Sequence, residues 1–167
     1  GALGSAKVTG TGGGNIAVVV NDRGFNTANP NRVTTYSCFA SSSASQNVVL
    51  PLYKEFFGGN TTGIQVQNVG NAAATVTVTY ARTGGGNVAF SHSTPIAAGA
   101  SATFFGVSNL TSPSSITVVS GNAASLNNSF GGVSISSNQP IVAIANESSS
   151  APNPSGQDTK NYEGFNQ

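Results

Sequence analysis

His92 is the one histidine in 167 residues, and it stands between Ser91 and Ser93. A hydrolytic triad needs a nucleophile, a base and an orienting carboxylate brought together. Serine is so abundant in this chain that a serine beside a histidine carries no information. His92 is read as a solvated side chain, no catalytic residue is assigned, and the chain is not read as an enzyme. Cys38 is the one cysteine. No disulfide can form within the chain, and no Cys/His ligand set exists. Cys38 is expected to be a small buried residue rather than a reactive or intersubunit thiol. Asp22, Glu147, Asp158 and Glu163 are the carboxylates that a calcium site would draw on. Calcium takes about six to eight oxygens, usually signalled by clustered Asp, and these four are dispersed. Asp22 and Glu147 read as solvated strand ends or turn acceptors, and no metal or cofactor is expected.

Lys54 and Glu55 raise a second kind of chemistry, the intramolecular Lys–Asn bond. That bond needs Lys, Asn and a carboxylate buried together, and ordinary surface charge is the simpler expectation. Asn60, Asn109, Asn127 and Asn146 each head an Asn-x-Ser/Thr sequon. They are candidate glycosylation sites, though such triplets arise by chance in a chain rich in Asn, Ser and Thr. Tyr53, Phe56 and Phe57 would make a sugar-stacking platform if exposed. Beside an edge strand, the same aromatics belong to a core or an interface.

The elements that must carry these residues are strands. Charged residues are 7% of the chain, with Lys+Arg 6 against Asp+Glu 5 and a net charge of +1. The basic residues form no stripe, which argues against nucleic acid as a partner. Apolar runs stay far below the roughly 20 residues of a membrane-spanning helix, so no membrane span is expected. The opening Gly1-Ala-Leu-Gly-Ser5 has no signal-peptide pattern, which fits a chain whose leader is already gone. Polarity comes from Asn, Ser, Thr, Gln and Gly, and with Val and Ile this favours pleated surfaces. Ala74–Tyr80 is the clearest strand, with Val76, Val78 and Tyr80 on one face and Thr75, Thr77 and Thr79 on the other. Thr83-Gly-Gly-Gly-Asn87 turns it into Val88–Ser91. Ile64 and Val66 share a face opposite Gln65 and Gln67. Pro51 interrupts the run 48–53 and places it at an edge or a bulge. No stretch shows a helical apolar period. The fold class is all-β, an antiparallel two-sheet sandwich.

The chain also repeats itself. Asn15–Asp22 (NIAVVVND) is echoed by Pro140–Glu147 (PIVAIANE), with Ile16 over Ile141, Val19 over Ile144 and Asn21 over Asn146. Further on, Tyr36-Ser-Cys-Phe39 is echoed by Tyr162-Glu-Gly-Phe165. The offset stays between 124 and 126 residues. One complete repeat, 47–167, is therefore preceded by the tail of another, 1–46. Within that part-repeat, strands are expected at 6–9, 16–21 and 33–39, a loop at 22–32, and a linker at 40–46.

VVLPLYKEFFGGNTTGIQVQN at 48–68 resembles the opening of an Ig-like repeat of secreted or cell-surface proteins of Chloroflexi-type bacteria. Leu50, Pro51, Leu52, Lys54, Gly63, Ile64, Val66, Gln67 and Asn68 carry the likeness. Gln139, Pro140, Ile141, Asn146, Glu147, Tyr162, Gly164 and Phe165 match the family's ending. The resemblance spans 47–167 and implies an extracellular β-rich module without a catalytic residue. Residues 1–46 depart from it, matching only the last part of a unit.

A short β-segment cannot bury enough apolar surface to stand alone. Residues 1–46 are thus expected to pack on something, and Ile16, Val18, Val19, Val20, Val33, Tyr36 and Phe39 are the candidate assembly residues. The first expectation is a structural subunit of an extracellular bacterial filament or surface assembly, joined to copies of itself by strand addition or packing. The alternative is a carbohydrate-binding or adhesive module of a multidomain surface protein, with surface glycans as partners.

Overall fold

The computed structural model describes residues 4–13, 15–26, 29–109, 115–149 and 160–166, and for 22–26, 29–34, 41 and 149 the main chain alone. The fold is all-β, without an α-helix among the described residues. In chain order the strands are β1 (Val19–Asn26), β2 (Asn29–Ser37), β3 (Ser45–Glu55), β4 (Asn60–Asn68), β5 (Val76–Arg82), β6 (Asn87–His92), β7 (Ser101–Phe104), β8 (Ile116–Ser120), β9 (Ser129–Ser149), β10 (Lys160–Glu163) and β11 (Phe165–Asn166). Short 3-10 turns occupy Ser41–Ser43 and Ala123–Leu126. β1 and β2 form a two-stranded sheet of their own; the other nine strands belong to one antiparallel sheet.

That sheet curls because β9 changes partners along its length. Its first part, 129–136, runs between β3 and β5. Its second part, 141–149, runs beside β4, with β10 on the other side. The switch falls on the polar stretch Ser137-Asn-Gln-Pro140, where side-chain bonds replace the ladder. The Gln139 amide donates to Ser137 Oγ, and the Thr75 amide donates to Asn138 Oδ1 at 2.8 Å. Pro140 has no amide proton to offer. Leu50, Tyr53, Val78, Tyr80, Phe90 and Ile135 from the first part meet Ile64, Val66, Phe104, Ile141 and Ala145 from the second in one core. Each such large apolar side chain, fully buried, contributes about 1.5–3 kcal/mol. Tyr53 and Tyr80 contact edge-to-face at 5.0 Å, as do Tyr80 and Phe90 at 5.6 Å.

The alternation in β5 is as the side-chain types require: Val76, Val78 and Tyr80 are buried, Thr75 exposed, and Thr77 and Thr79 intermediate. The β3–β9 register shifts between Leu50 and Tyr53, so Pro51 sits at a bulge. Three consecutive glycines with φ of 95°, 103° and 82° (Gly84, Gly85, Gly86) make the turn between β5 and β6.

The N-terminal part departs from the expected strands. Residues 6–9 carry none, and Val8, their one large apolar residue, is exposed. Ile16–Val18 also precede the strand, which starts at Val19 and runs on to Asn26. Of the expected loop 22–32, residues 22–26 and 29–32 instead belong to two paired strands, because two-strand pairing satisfies main-chain groups without needing a buried face. The linker is shorter than 40–46, since β3 begins at Ser45.

The echo seen in the sequence reappears in the hydrogen bonding. In β1–β2, Val19 faces Ser37, Val20 faces Tyr36, Asn21 faces Thr35 and Asp22 faces Thr34. In β9–β10 the counterparts pair likewise: Ile144 with Glu163, Ala145 with Tyr162, Asn146 with Asn161 and Glu147 with Lys160. The next bond matches as well. Cys38 N donates to Val18 O at 3.1 Å, and Gly164 N donates to Ala143 O at 2.9 Å. Where the hairpins differ is bulk. A Cβ at Gly164 would lie 2.4 Å from Val48 Cγ1 and 3.2 Å from Ala143 O. Overpacking of this kind costs about 1–3 kcal/mol. Gly164→Cys is accordingly expected to lower the urea midpoint, and Val48→Ala in the same chain to recover part of the loss. An unchanged midpoint in Gly164→Cys would show that β3 yields freely there.

Candidate functional site

Among the described residues, His92, Cys38 and the candidate carboxylates do not gather in one place. His92 turns Nδ1 to within 2.8 Å of the Thr94 carbonyl oxygen, a local turn contact. Cys38 is exposed, not buried as expected, because its strand lies outside the core that encloses Gly164. Among the described residues no group of three or more His, Cys, Asp or Glu side chains comes together, and no helix is long and apolar enough to cross a membrane. Asp158 and the Asp22 side chain lie outside the described residues, as does the Val33 side chain.

Two charges behave differently from the expectation. Glu147 is not a solvated strand end, and Lys54 is not ordinary surface charge. Glu147 is 3% exposed, and Lys54 Nζ donates to its Oε1 at 3.0 Å. Glu147 sits where β4 and β10 flank β9 and Lys54 reaches it from β3, so pairing compensates a carboxylate that the closing sheet has removed from water. Removing one partner of such a pair costs about 3–5 kcal/mol. Glu55 is buried too, at the end of β3, and its Oε1 accepts from Ser108 N at 2.9 Å and Ser108 Oγ at 2.7 Å. That carboxylate ties the end of β3 to the loop after β7.

The aromatic platform is dismantled by the fold. Tyr53 is fully buried, its hydroxyl 3.1 Å from Ser129 Oγ. Phe57 tilts onto Phe130 with ring centroids 4.6 Å apart. Phe56 and Phe57 both stay partly exposed, at 39% and 37%, and Phe56 holds a left-handed conformation with φ of 53°. It lines a cleft of about 430 Å³ together with Ser108, Asn109, Ala124 and Asn127. Two of the sequon asparagines, Asn109 and Asn127, thus share one cleft. Asn60 opens β4 and bonds its amide to Gly58 O. Asn146 lies inside β9 with strands on both sides and is half-buried. No sequence signal linked Phe56 to Asn109 and Asn127, which are separated by 53 and 71 positions and meet only through loop packing.

The assembly candidates lie on the β1–β2 hairpin or just beside it. Ile16 and Val19 are exposed, at 53% and 60%, while Val18, Val20, Tyr36 and Phe39 are half-buried. Their counterparts Ile141 and Ile144 are buried, Asn146 and Tyr162 are half-buried, and Phe165 is exposed. The Tyr162 hydroxyl donates to Leu52 O. The N-terminal part touches its own unit at a few polar points. Gln65 Nε2 donates to Gly4 O at 2.9 Å, Ser5 Oγ to Gly99 O at 3.0 Å, and Ser37 Oγ to Glu163 Oε1.

β1 also leaves an edge open. In the unit, Ala143, Ile144 and Ala145 pair with β4 through Val66, Gln65 and Ile64. The equivalent edge of β1 pairs with no strand among the described residues, since β1 bonds only β2.

No family model matches the chain, and no curated protein matches it. Among solved structures, a crystal structure of Thermotoga maritima 1070 is similar, with a TM-score of 0.54 and 13% identity. The match covers 74% of this chain and 95% of that one. The likeness is one of fold.

Glu55 makes the site pH-dependent. Burial pushes its carboxyl up from the ordinary value, and the two bonds from Ser108 pull it only part of the way back. The folded state therefore holds the proton more tightly than the unfolded chain does. Its contribution to stability is full below about pH 4 and declines as the pH rises through the raised folded value. Glu55→Gln should remove that decline. In urea unfolding at acid and neutral pH, wild type is expected to lose stability relative to the variant as the pH increases. A difference independent of pH would mean that Glu55 titrates as an exposed carboxyl.

Proposed function

We propose that this chain is a structural subunit of an extracellular bacterial filament or surface assembly. In this reading 47–167 is an Ig-like two-layer sandwich unit, and 1–46 is the segment that joins one subunit to the next. The sandwich is supported by β9, whose two parts serve different neighbours while sharing one core. The joining role rests on one observation: β1–β2 copies the register of β9–β10, yet the edge that β4 occupies in the unit is open in β1.

An open strand edge is a row of unpaired donors and acceptors, and in β1 it is flanked by exposed Ile16 and Val19. Addition of a strand from a neighbouring copy along that edge satisfies the main chain and covers those side chains. Because the donor and acceptor surfaces differ, the contact is head-to-tail and propagates. Exchange of whole hairpins is the poorer route. Cys38 would stand in Gly164's place against Val48, and Val18 and Val20 would replace the fully enclosed Ala143 and Ala145. Low net charge does little to hold copies apart.

Deleting residues 1–46 is expected to yield a folded, soluble monomer, while the whole chain forms polymers under negative-stain microscopy and size exclusion. If the truncated chain still forms the same fibres, the hairpin is not the joint. If it fails to fold, the hairpin belongs to its own unit and the joint lies elsewhere.

A further inference from the structure

The open edge of β1 presents a defined row of main-chain groups. Cys38 N donates to Val18 O, so Val18 bonds β2. Residues of an antiparallel strand bond alternately to one side and the other. Val19 and Asn21 therefore turn their N–H and C=O groups away from β2. The duplicate shows what meets such a row. Gly164 N donates to Ala143 O and Val69 N to Pro140 O, so Ile144 and Asn146 point their groups at β4, opposite Gln65 and Gly63. Val19 and Asn21 stand in the places of Ile144 and Asn146. β4 itself is occupied on both edges over 64–67, by β9 and β7, so a neighbouring copy must offer another strand.

The border strands of the unit differ in how they are closed to addition. Natural edges are protected by bulges, short length, charge or a covering segment. The register of β8 shifts between Ala89 and Phe90, leaving Val119 opposite no residue of β6. β11 is two residues long. β10 is met by β2, where Ser37 Oγ donates to Glu163 Oε1. β7 is only four residues long, but its register with β4 is unbroken, and Gly99–Gly106 carries neither charge nor proline. Asn68 N donates to Ala100 O, so Ala100, Ala102 and Phe104 bond β4. Ser101 and Thr103 point their groups outward, where no strand follows among the described residues.

The side chains of the two edges alternate in step. In β7, Ala102 and Phe104 are buried while Ser101 and Thr103 are half-buried on the other face. On the β1 side, Val18 and Val20 are half-buried while Val19 and Asn21 are exposed. Laid antiparallel, with Val19 against Thr103 and Asn21 against Ser101, Val18 and Val20 continue the row of Ala102 and Phe104. Val19 then lies on the face of the exposed Phe105. Residues 16–21 carry no charge either.

We infer that β1 of one copy adds antiparallel to the outer edge of β7 of the next, so that one ladder continues from subunit to subunit. This pairing rests on the joining role proposed for 1–46 and names the strand that receives it. Each copy then carries one donor edge and one acceptor edge.

Proline tests both edges, because the N–H groups of Val19 and Thr103 bond no strand within the subunit. Val19→Pro and Thr103→Pro should each keep the amide NMR pattern away from the substitution. Each alone should sediment as a monomer where the whole wild-type chain sediments as a polymer. Mixed in equal amounts they should form a heterodimer, since the intact β1 of the Thr103→Pro chain meets the intact β7 of the Val19→Pro chain. Val19→Lys and Thr103→Lys place a charge on the same edges and decide the matter should a proline variant fail to fold. If Val19→Pro is monomeric but Thr103→Pro polymerises as wild type does, the hairpin joins copies through another strand and β7 is not the acceptor. If both variants polymerise, the joining role of β1 falls as well. A wild-type chain that stays monomeric, or an equal mixture of the variants that does, overturns the pairing.

Discussion

The structure depends on one 21-residue strand finding partners along both edges twice, over 131–136 and again over 144–147. A buried main-chain donor or acceptor left unpaired costs about as much as the hydrogen bond it forgoes. β9 avoids that cost by trading β3 and β5 for β4 and β10 at the point where its sequence turns polar. The curl of the sheet and the shared core both follow from that change of partners. The closing corner is made by the C-terminal segment, which pairs with β9 through β10 and with β3 through β11. Gly164 is the crossing point, and its lack of a side chain lets β3 and β9 come so close.

Burial of charge follows from the same closure. Glu147 sits on the part of β9 that is enclosed by β4 and β10, and Lys54 reaches it from β3. Glu55, one residue further along, faces the other way and anchors a loop. Neighbouring residues of one strand therefore stabilise different regions, because successive side chains leave a strand on opposite faces.

Much of this was legible in the sequence wherever local pattern alone decides the outcome. Val76–Tyr80 alternates, the triple glycine turns, and Pro51 disturbs its ladder, each for reasons internal to a few residues. The repeat was legible too, and its register could be followed residue by residue. What the sequence did not reveal depended on distant partners. Asn- and Pro-rich 22–32 looks like a loop, yet two such segments can pair with each other. Glu147 looks like a strand-end charge until β4 and β10 close over it. Phe56 is separated from its cleft neighbours by more than fifty positions and is brought to them by loops without a pattern of their own.

The difference in bulk between Cys38 and Gly164 bears on the order in which the chain is made. β1–β2 leaves the ribosome about 125 residues before its duplicate, which at roughly 5–20 residues per second is a lead of about 6–25 s. During that interval β4 is synthesised with its edge unclaimed, and an early hairpin of the same register is at hand to take it. Val18, Val20 and Cys38 make that occupant too large for the seat that Ala143, Ala145 and Gly164 fill. The earlier hairpin is therefore the poorer fit for that edge, and the later strand the better one. A duplicated segment that matched in size as well as register would be a kinetic trap; this one differs in size at the crossing point where β3 leaves no slack.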